Sequence, residues 1–309
     1  MAQSLVQSGL LHSISRPNPQ PLVAFEHFAH HAAQKSTIIL LGGLGDGLLT
    51  IPYTSNLAAR LPNHWRIVEP ILGSAYRQWG FSTLGEDVEE IVLLVQYFRS
   101  NGGKVVLMGH STGCQMIMHY LSSPLRRGDG ERPRIDGALL QGSVSDREGM
   151  VMMLDDEDYE HACHLAQELV DDGKADEMLP IEMTKFFTIG PLSAKRFLSL
   201  ASPPPNFAGE DDYFSSDLSD GRLERTFGAV GRSKVRFAFL FGDRDQHVPK
   251  SVDKKAMVQK WERFIKAAGG TVDEASGILE GGTHTLKEAG APLDSMVKKI
   301  RGFVSRLEV

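Results

Sequence analysis

The stretch Gly109-His110-Ser111-Thr112-Gly113 constrains this chain more than any other, because of what flanks it. Lys104-Val105-Val106-Leu107-Met108 precedes it, a short apolar, β-branched run that reads as a buried parallel strand. Cys114-Gln115-Met116-Ile117-Met118-His119-Tyr120-Leu121 follows and reads as a helix. The pattern G-x-S-x-G alone arises by chance. Strand, glycine-flanked serine and helix together are the context of a nucleophile elbow. Its glycines let strand and helix approach closely and let the backbone take a strained turn that lifts the serine hydroxyl above a sheet. The competing reading is a serine in an ordinary strand-to-helix loop.

A serine needs a base and an orienting acid, which on such a sheet follow it in the order acid, then histidine. His284 closes Glu280-Gly281-Gly282-Thr283-His284, after the possible strand Gly277-Ile278-Leu279 and shortly before the last helix, where the base is expected. Val235 to Phe241 is the best strand before it and ends in a loop carrying Asp243 and Asp245; Asp146, after the strand Gly137 to Gln141, is a further candidate acid. An aspartate in such a loop is otherwise a turn or capping residue. His110 is expected to point away from the mouth of the site, and His247, in the acid loop, to be a neighbour only. Thr112 supplies one backbone donor for an oxyanion, and the glycine-rich loop Gly42-Gly43-Leu44-Gly45-Asp46-Gly47, after the strand Ser36 to Leu41, supplies the other. That loop lacks the Lys-Ser/Thr ending of a P-loop and does not match G-x-G-x-x-G.

Around these signals, strands and helices alternate. Leu10 to Ser15, Leu22 to Phe28 and Trp65 to Glu69 read as strands, and Pro52 to Leu61 as a helix. Leu84 to Ser100 is helical, with Leu84, Val88, Ile91, Val92, Val95 and Phe98 on one face and Asn101-Gly102-Gly103 as its stop. Val252 to Ala268 and Leu293 to Leu307 complete the helices. The alternation implies a mostly parallel central sheet with helices on both faces. From Arg147 to Arg232 no convincing strand occurs, only acidic helical segments and the break Ser202-Pro203-Pro204-Pro205. We read residues 1–146 and 233–309 as one core and 147–232 as an inserted, mainly helical cap. Met150, Met152, Met153, Phe186, Phe187, Phe197, Phe207, Tyr213 and Phe214 either line a pocket beneath the cap or form its own core.

The chain has 309 residues and a formal charge of −6, with no basic stripe, which argues against nucleic acid as a partner. Its 2 cysteines, Cys114 and Cys163, give no disulfide framework and point to a reducing compartment. No signal-peptide pattern or span-length apolar run is present, so the cytoplasm is expected. His161, Cys163 and His164 cluster on a predicted helix, Asp156 to Asp172, but its periodicity turns the imidazoles to solvent. No metal or cofactor is expected.

Taken together, the elbow, glycine loop, acid loop and terminal histidine resemble an α/β-hydrolase. The likeness sharpens in Gly42-Gly43-Leu44-Gly45-Asp46-Gly47-Leu48-Leu49, Pro52-Tyr53, Trp79-Gly80, Gly109 to Gln115, His119-Tyr120, Val144-Ser145-Asp146-Arg147-Glu148, Asp211 to Leu218 and Val248 to Asp253. These resemble a eukaryotic family, formerly uncharacterised, that includes fungal intracellular esterases of fusarinine-type siderophores. Met116 stands where relatives often carry Asp. The resemblance selects Asp245, through the pattern G-x-x-D-x-x-V-P in Gly242 to Pro249, over Asp146 and Asp243. It also selects the Leu44 amide as the second oxyanion donor, ahead of Gly43. It implies a serine esterase that cleaves ester bonds between N-hydroxyornithine-based units through an acyl-enzyme. The partner is then a small-molecule ester, such as a ferric hydroxamate siderophore. Tyr53, Tyr76 and Trp79 are expected near the mouth, either touching substrate or packed on the sheet. The rival readings are a general carboxylesterase or lipase-like hydrolase, and a non-catalytic binding protein on the same fold.

Overall fold

The computed structural model describes residues 6–16, 19–28, 36–124, 131–184, 190–287 and 290–308. His30, His31, Phe186 and Phe187 lie outside them.

Strands β1 (Gly9–Ile14) and β2 (Leu22–His27) form an antiparallel pair, and β3 (Ser36–Leu41) begins the parallel part of the sheet. Helix α1 (Thr54–Arg60) leads to β4 (Trp65–Ile71), which lies parallel to β3 and antiparallel to β2. Helix α2 (Leu84–Ser100) crosses to β5 (Val105–His110), and α3 (Thr112–Ser122) then leads to β6 (Gly137–Gln141). β3, β5 and β6 are almost wholly buried apolar runs, as strands covered on both faces must be. Thr83 and Glu86 form a capping box that starts α2, and Gly102 and Gly103, both at φ 82°, follow its end. Of the face expected to be buried, Val92 alone is only partly covered, while Leu94 is buried in addition.

Among the described residues, six α-helices then follow, α4 (Asp146–Met153), α5 (Asp156–Asp171), α6 (Ile181–Thr184), α7 (Ala194–Ala201), α8 (Asp220–Leu223) and α9 (Ala229–Arg232), the last two joined by a π-helical turn at Glu224–Gly228. After them, β7 (Arg236–Gly242) returns to the sheet beside β6. Helix α10 (Lys254–Ala267), the short strands β8 (Thr271–Val272) and β9 (Gly277–Leu279), and α11 (Ala291–Arg306) complete the chain. The strand order is β1-β2-β4-β3-β5-β6-β7-β8, with β9 also paired to β7. The winding reverses at β3, which lies between β4 and β5. The crevice above the carboxyl ends of β3 and β5 is therefore the topological switch point, where open α/β sheets bind ligands.

The apolar residues of the insertion divide between two cores. Met150, Ala162, Cys163, Ala166, Phe197 and Leu200 form a separate cluster with Trp79. Tyr213, Phe214, Leu223 and Phe227 instead join the main core, where the Phe227 ring stacks on Trp261 at 5.6 Å. The apolar residues of the earlier part of 147–232 thus pack apart from the main core, whereas Phe214 is buried within it. Met152 and Met153 face solvent. Arg196 braces the insertion internally through a buried ion pair and holds it to the residues before it through a hydrogen bond. Arg196 Nη1 donates to Asp211 Oδ2 at 2.5 Å, and its Nε donates to the Trp79 carbonyl at 3.1 Å. Among the described residues, no helix is long and apolar enough to cross a membrane.

Candidate active site

Ser111 sits between β5 and α3 with φ 53° and ψ −123°, a strained conformation for a residue with a side chain. Tight packing around it enforces the turn. A Cβ on Gly113 would lie 2.2 Å from the Leu41 carbonyl oxygen, and one on Gly109 would lie 2.5 Å from the Cys114 nitrogen. Both glycines are needed for their size, since neither has a positive φ. The Ser111 amide donates to the Gln141 carbonyl at 3.0 Å, and the Cys114 amide donates to the Ser111 carbonyl at 2.8 Å.

The structure brings Ser111, His284 and Asp245 into one hydrogen-bonded line. His284 Nδ1 is 2.7 Å from Asp245 Oδ2, and His284 Nε2 is 3.0 Å from Ser111 Oγ. A carboxylate only accepts, so the proton sits on Nδ1, and Nε2 is left to accept from the serine hydroxyl. Burial raises the proton affinity of Asp245, but the hydrogen bond and electrostatic attraction of His284 and the His247 amide outweigh it. The net effect holds this carboxyl below the usual carboxylate range. The His247 amide donates to Asp245 Oδ1 at 3.0 Å, so both carboxylate oxygens are fixed.

The other candidate acids lie elsewhere. Asp146 starts α4 and accepts from Gln115 Nε2 at 2.9 Å. Burial first, and Asp211 next, push its carboxyl up to about 7. Asp243 is exposed, and its carbonyl accepts from Lys254 Nζ at 2.8 Å. Cys114 is no competing nucleophile: its thiol is buried and pushed up to about 12.

The glycine loop after β3 faces the elbow, since Leu41 pairs with Gly109 in the parallel register. The Gly43 amide is committed to Asp46 Oδ2 at 2.8 Å, while Thr50 Oγ1 donates to Asp46 Oδ1 at 2.7 Å. Asp46, which the sequence reading passed over, thus cross-ties the loop and takes Gly43 out of contention as an oxyanion donor. Among the described residues, the Leu44 amide has no acceptor, and the Thr112 amide is the first N–H of α3, without an intrahelical partner. Among the described residues, both amides therefore remain available as donors. A Cβ on Gly43 would fall 2.7 Å from Ser111 Cβ, so the loop lies directly against the serine.

The aromatic residues expected near the mouth divide between the two alternatives. Tyr53 is buried, and its hydroxyl donates to Gln141 Oε1 at 3.0 Å. Trp79 is buried in the insertion's cluster. Both therefore take the packed alternative, since large rings gain more by burial than at a wet mouth. Tyr76 is 45% exposed, and its hydroxyl accepts from the Leu48 amide at 3.0 Å, strapping the glycine loop. The site's histidines also pack closely. The His247 ring meets His284 edge-on at 4.6 Å, and the His110 ring lies 5.2 Å behind it. Burial, and then His284, push His110 down to about 4, so it is neutral. His161 and His164 are exposed on α5, and no group of metal-ligating side chains occurs among the described residues.

Known proteins are similar to this chain over nearly its whole length. A fusarinine C esterase, sidJ, of Aspergillus fumigatus is 35% identical over 97% of this chain and 96% of its own length. An esterase of Emericella nidulans is 33% identical over 97% of this chain and 93% of its own length. The solved structure of the siderophore hydrolase EstB from Aspergillus fumigatus superposes with a TM-score of 0.86, at 35% identity and 98% coverage of both chains. The protein is thus an α/β-hydrolase and an ester hydrolase by its relatives. Residues 1–305 match a single family, and the chain belongs to that family, described as "Protein of unknown function (DUF1749)".

Proposed function

We propose that this protein is a serine esterase that opens the ester bonds of fusarinine-type siderophores inside the cell. The observation that carries the reading is the line from Ser111 Oγ through His284 to Asp245, at 3.0 and 2.7 Å. Ser111 attacks the ester carbonyl while His284 Nε2 takes its proton. Asp245 keeps the imidazole in the reactive tautomer and stabilises its charged form. The Leu44 and Thr112 amides donate to the developing oxyanion, each contributing about 3 kcal/mol to the transition state. His284 then protonates the leaving alcohol, and water, activated by the same imidazole, hydrolyses the acyl-enzyme. The substrate assignment rests on the names of the relatives, a fusarinine C esterase and a siderophore hydrolase. The iron of such a substrate is held by its own hydroxamates. A cytoplasmic site of action belongs to this reading and is supported by two free, buried cysteines; cell fractionation tests it.

The test is turnover of ferric fusarinine C by the purified protein, read by mass spectrometry, beside Ser111→Ala. The expected outcome is linear and monomeric hydroxamate products from the wild type, with the variant slower by on the order of 10⁶-fold. Intact fusarinine C beside Ser111-dependent cleavage of a p-nitrophenyl ester would move the substrate to another ester class. Undiminished activity in Ser111→Ala would refute the mechanism.

A further inference from the structure

Gln141 is the last residue of β6 and is fully buried, a primary amide at the end of an otherwise apolar strand. Burying an amide is costly unless its donors and acceptors are matched. Here the matches lead to the reacting groups. Its Oε1 accepts from the Tyr53 hydroxyl at 3.0 Å and from His110 Nδ1 at 2.6 Å. Its Nε2 donates to the backbone carbonyl of His284 at 2.9 Å. Its own backbone carbonyl receives the Ser111 amide at 3.0 Å and the Cys114 thiol at 3.3 Å. One residue therefore grips the backbone of the serine with its main chain and that of the histidine with its side chain.

The two grips act on parts of the chain that nothing local would hold together. Ser111 and His284 are 173 residues apart, and His284 stands on a loop after β9, outside any regular element. The space beside this loop is already tight: a Cβ on Gly142, next to Gln141, would fall 3.0 Å from His284 Cε1. The direction of the Gln141 amide is also settled. The His284 carbonyl can only accept, so Nε2 must face it. Oε1 then faces His110, which must donate from Nδ1. The neutral His110 ring consequently packs behind His284 without opposing the positive charge that His284 acquires in the reaction.

We propose that Gln141 is a positioning residue that sets the distance between nucleophile and base by anchoring both backbones to the end of β6. This proposal rests on the serine-esterase reading. It touches neither substrate nor the reacting atoms, and acts through the placement of His284 relative to Ser111. A displacement of about 1 Å between reacting groups costs about 100-fold in rate. Gln141→Met keeps the volume, removes the side chain's hold on the His284 carbonyl together with its bonds to His110 and Tyr53, and leaves the main-chain bond to Ser111 in place. Gln141→Asn keeps the amide but is one methylene too short to reach the His284 carbonyl.

The experiment measures kcat and KM of both variants on a p-nitrophenyl ester, per active site titrated to completion with a fluorophosphonate, alongside the thermal midpoint. The expected result is that all folded sites titrate, slowly, and that kcat per site falls about 100-fold, with KM held within about threefold. A purely structural role would lower the number of titratable sites and leave kcat per site unchanged, and that result would overturn the proposal. Should Gln141→Met fail to fold, the shorter and less disruptive Gln141→Asn carries the same test. Wild-type behaviour of the variants beside a dead Ser111→Ala overturns this proposal alone. A wild type that neither turns over nor titrates overturns the esterase reading and this proposal with it.

Discussion

Replacing Gly43 by alanine separates the fold from the site. The added methyl would stand 2.7 Å from Ser111 Cβ and 3.2 Å from Ser111 Oγ. Carbon atoms in contact settle at about 3.5–4.0 Å, so glycine loop and elbow must part by about 1 Å. The elbow cannot absorb this, because Gly113 is already against the Leu41 carbonyl and the Ser111 amide is tied to Gln141. The loop must therefore give, carrying the Leu44 amide away from the oxyanion. Loss of one such donor costs about 10²–10³-fold in kcat. The backbone at Gly43 has no positive φ, so alanine introduces no strain there. A less flexible unfolded chain offsets part of the crowding by about 0.4–1 kcal/mol. Gly43→Ala should then lose about 100-fold in kcat on a p-nitrophenyl ester, with a thermal midpoint close to wild type. Activity within about threefold of wild type would refute the placement of this loop over the serine.

Asp245→Asn should lower kcat by about 10⁴-fold through the wrong histidine tautomer, whereas Asp146→Asn, which does not touch His284, should keep most of the activity; equal losses would contradict the assignment of the acid. Burial pushes Asp87 up to about 7, opposed by the Ser74 hydrogen bond. The folded state therefore holds a proton that the unfolded chain releases near about pH 4, and stability falls as pH rises from there to about 7. Asp87→Asn should accordingly gain thermal stability over wild type from about pH 5 to about pH 8; a gap that stays constant with pH would contradict this. Arg196 and Asp211 are both almost fully buried, so Arg196→Met should leave an uncompensated carboxylate. Urea denaturation should show a loss of about 3–5 kcal/mol, and a loss of less than about 1 kcal/mol would mean the pair contributes little.

Much of the scaffold was legible because its signals are local. Periodicity placed the apolar face of α2 and the buried strands β3, β5 and β7, and glycines marked the elbow and the loop after β3. The helix expected from Pro52 starts only at Thr54, and the Asp156 helix stops one residue short, differences of the size that fraying and caps produce. The insertion misled for a different reason. Residue type shows that Phe197 and Phe214 are apolar, but not that the first packs under α5 while the second meets Trp261 across the main core.

By itself the sequence determined the order of elements, the elbow and the residue types able to serve as nucleophile, base and acid, because propensity, glycine sterics and periodicity act over a few residues. The tertiary structure brings Asp245, which the family resemblance already favoured over Asp146 and Asp243, against His284, and it alone decides the burial of Tyr53 and Trp79. It alone also makes the junction of Ser111 and His284 through Gln141. Those outcomes depend on strand order and on side chains from distant segments competing for the same buried space and the same hydrogen bonds, and no local pattern carries that information.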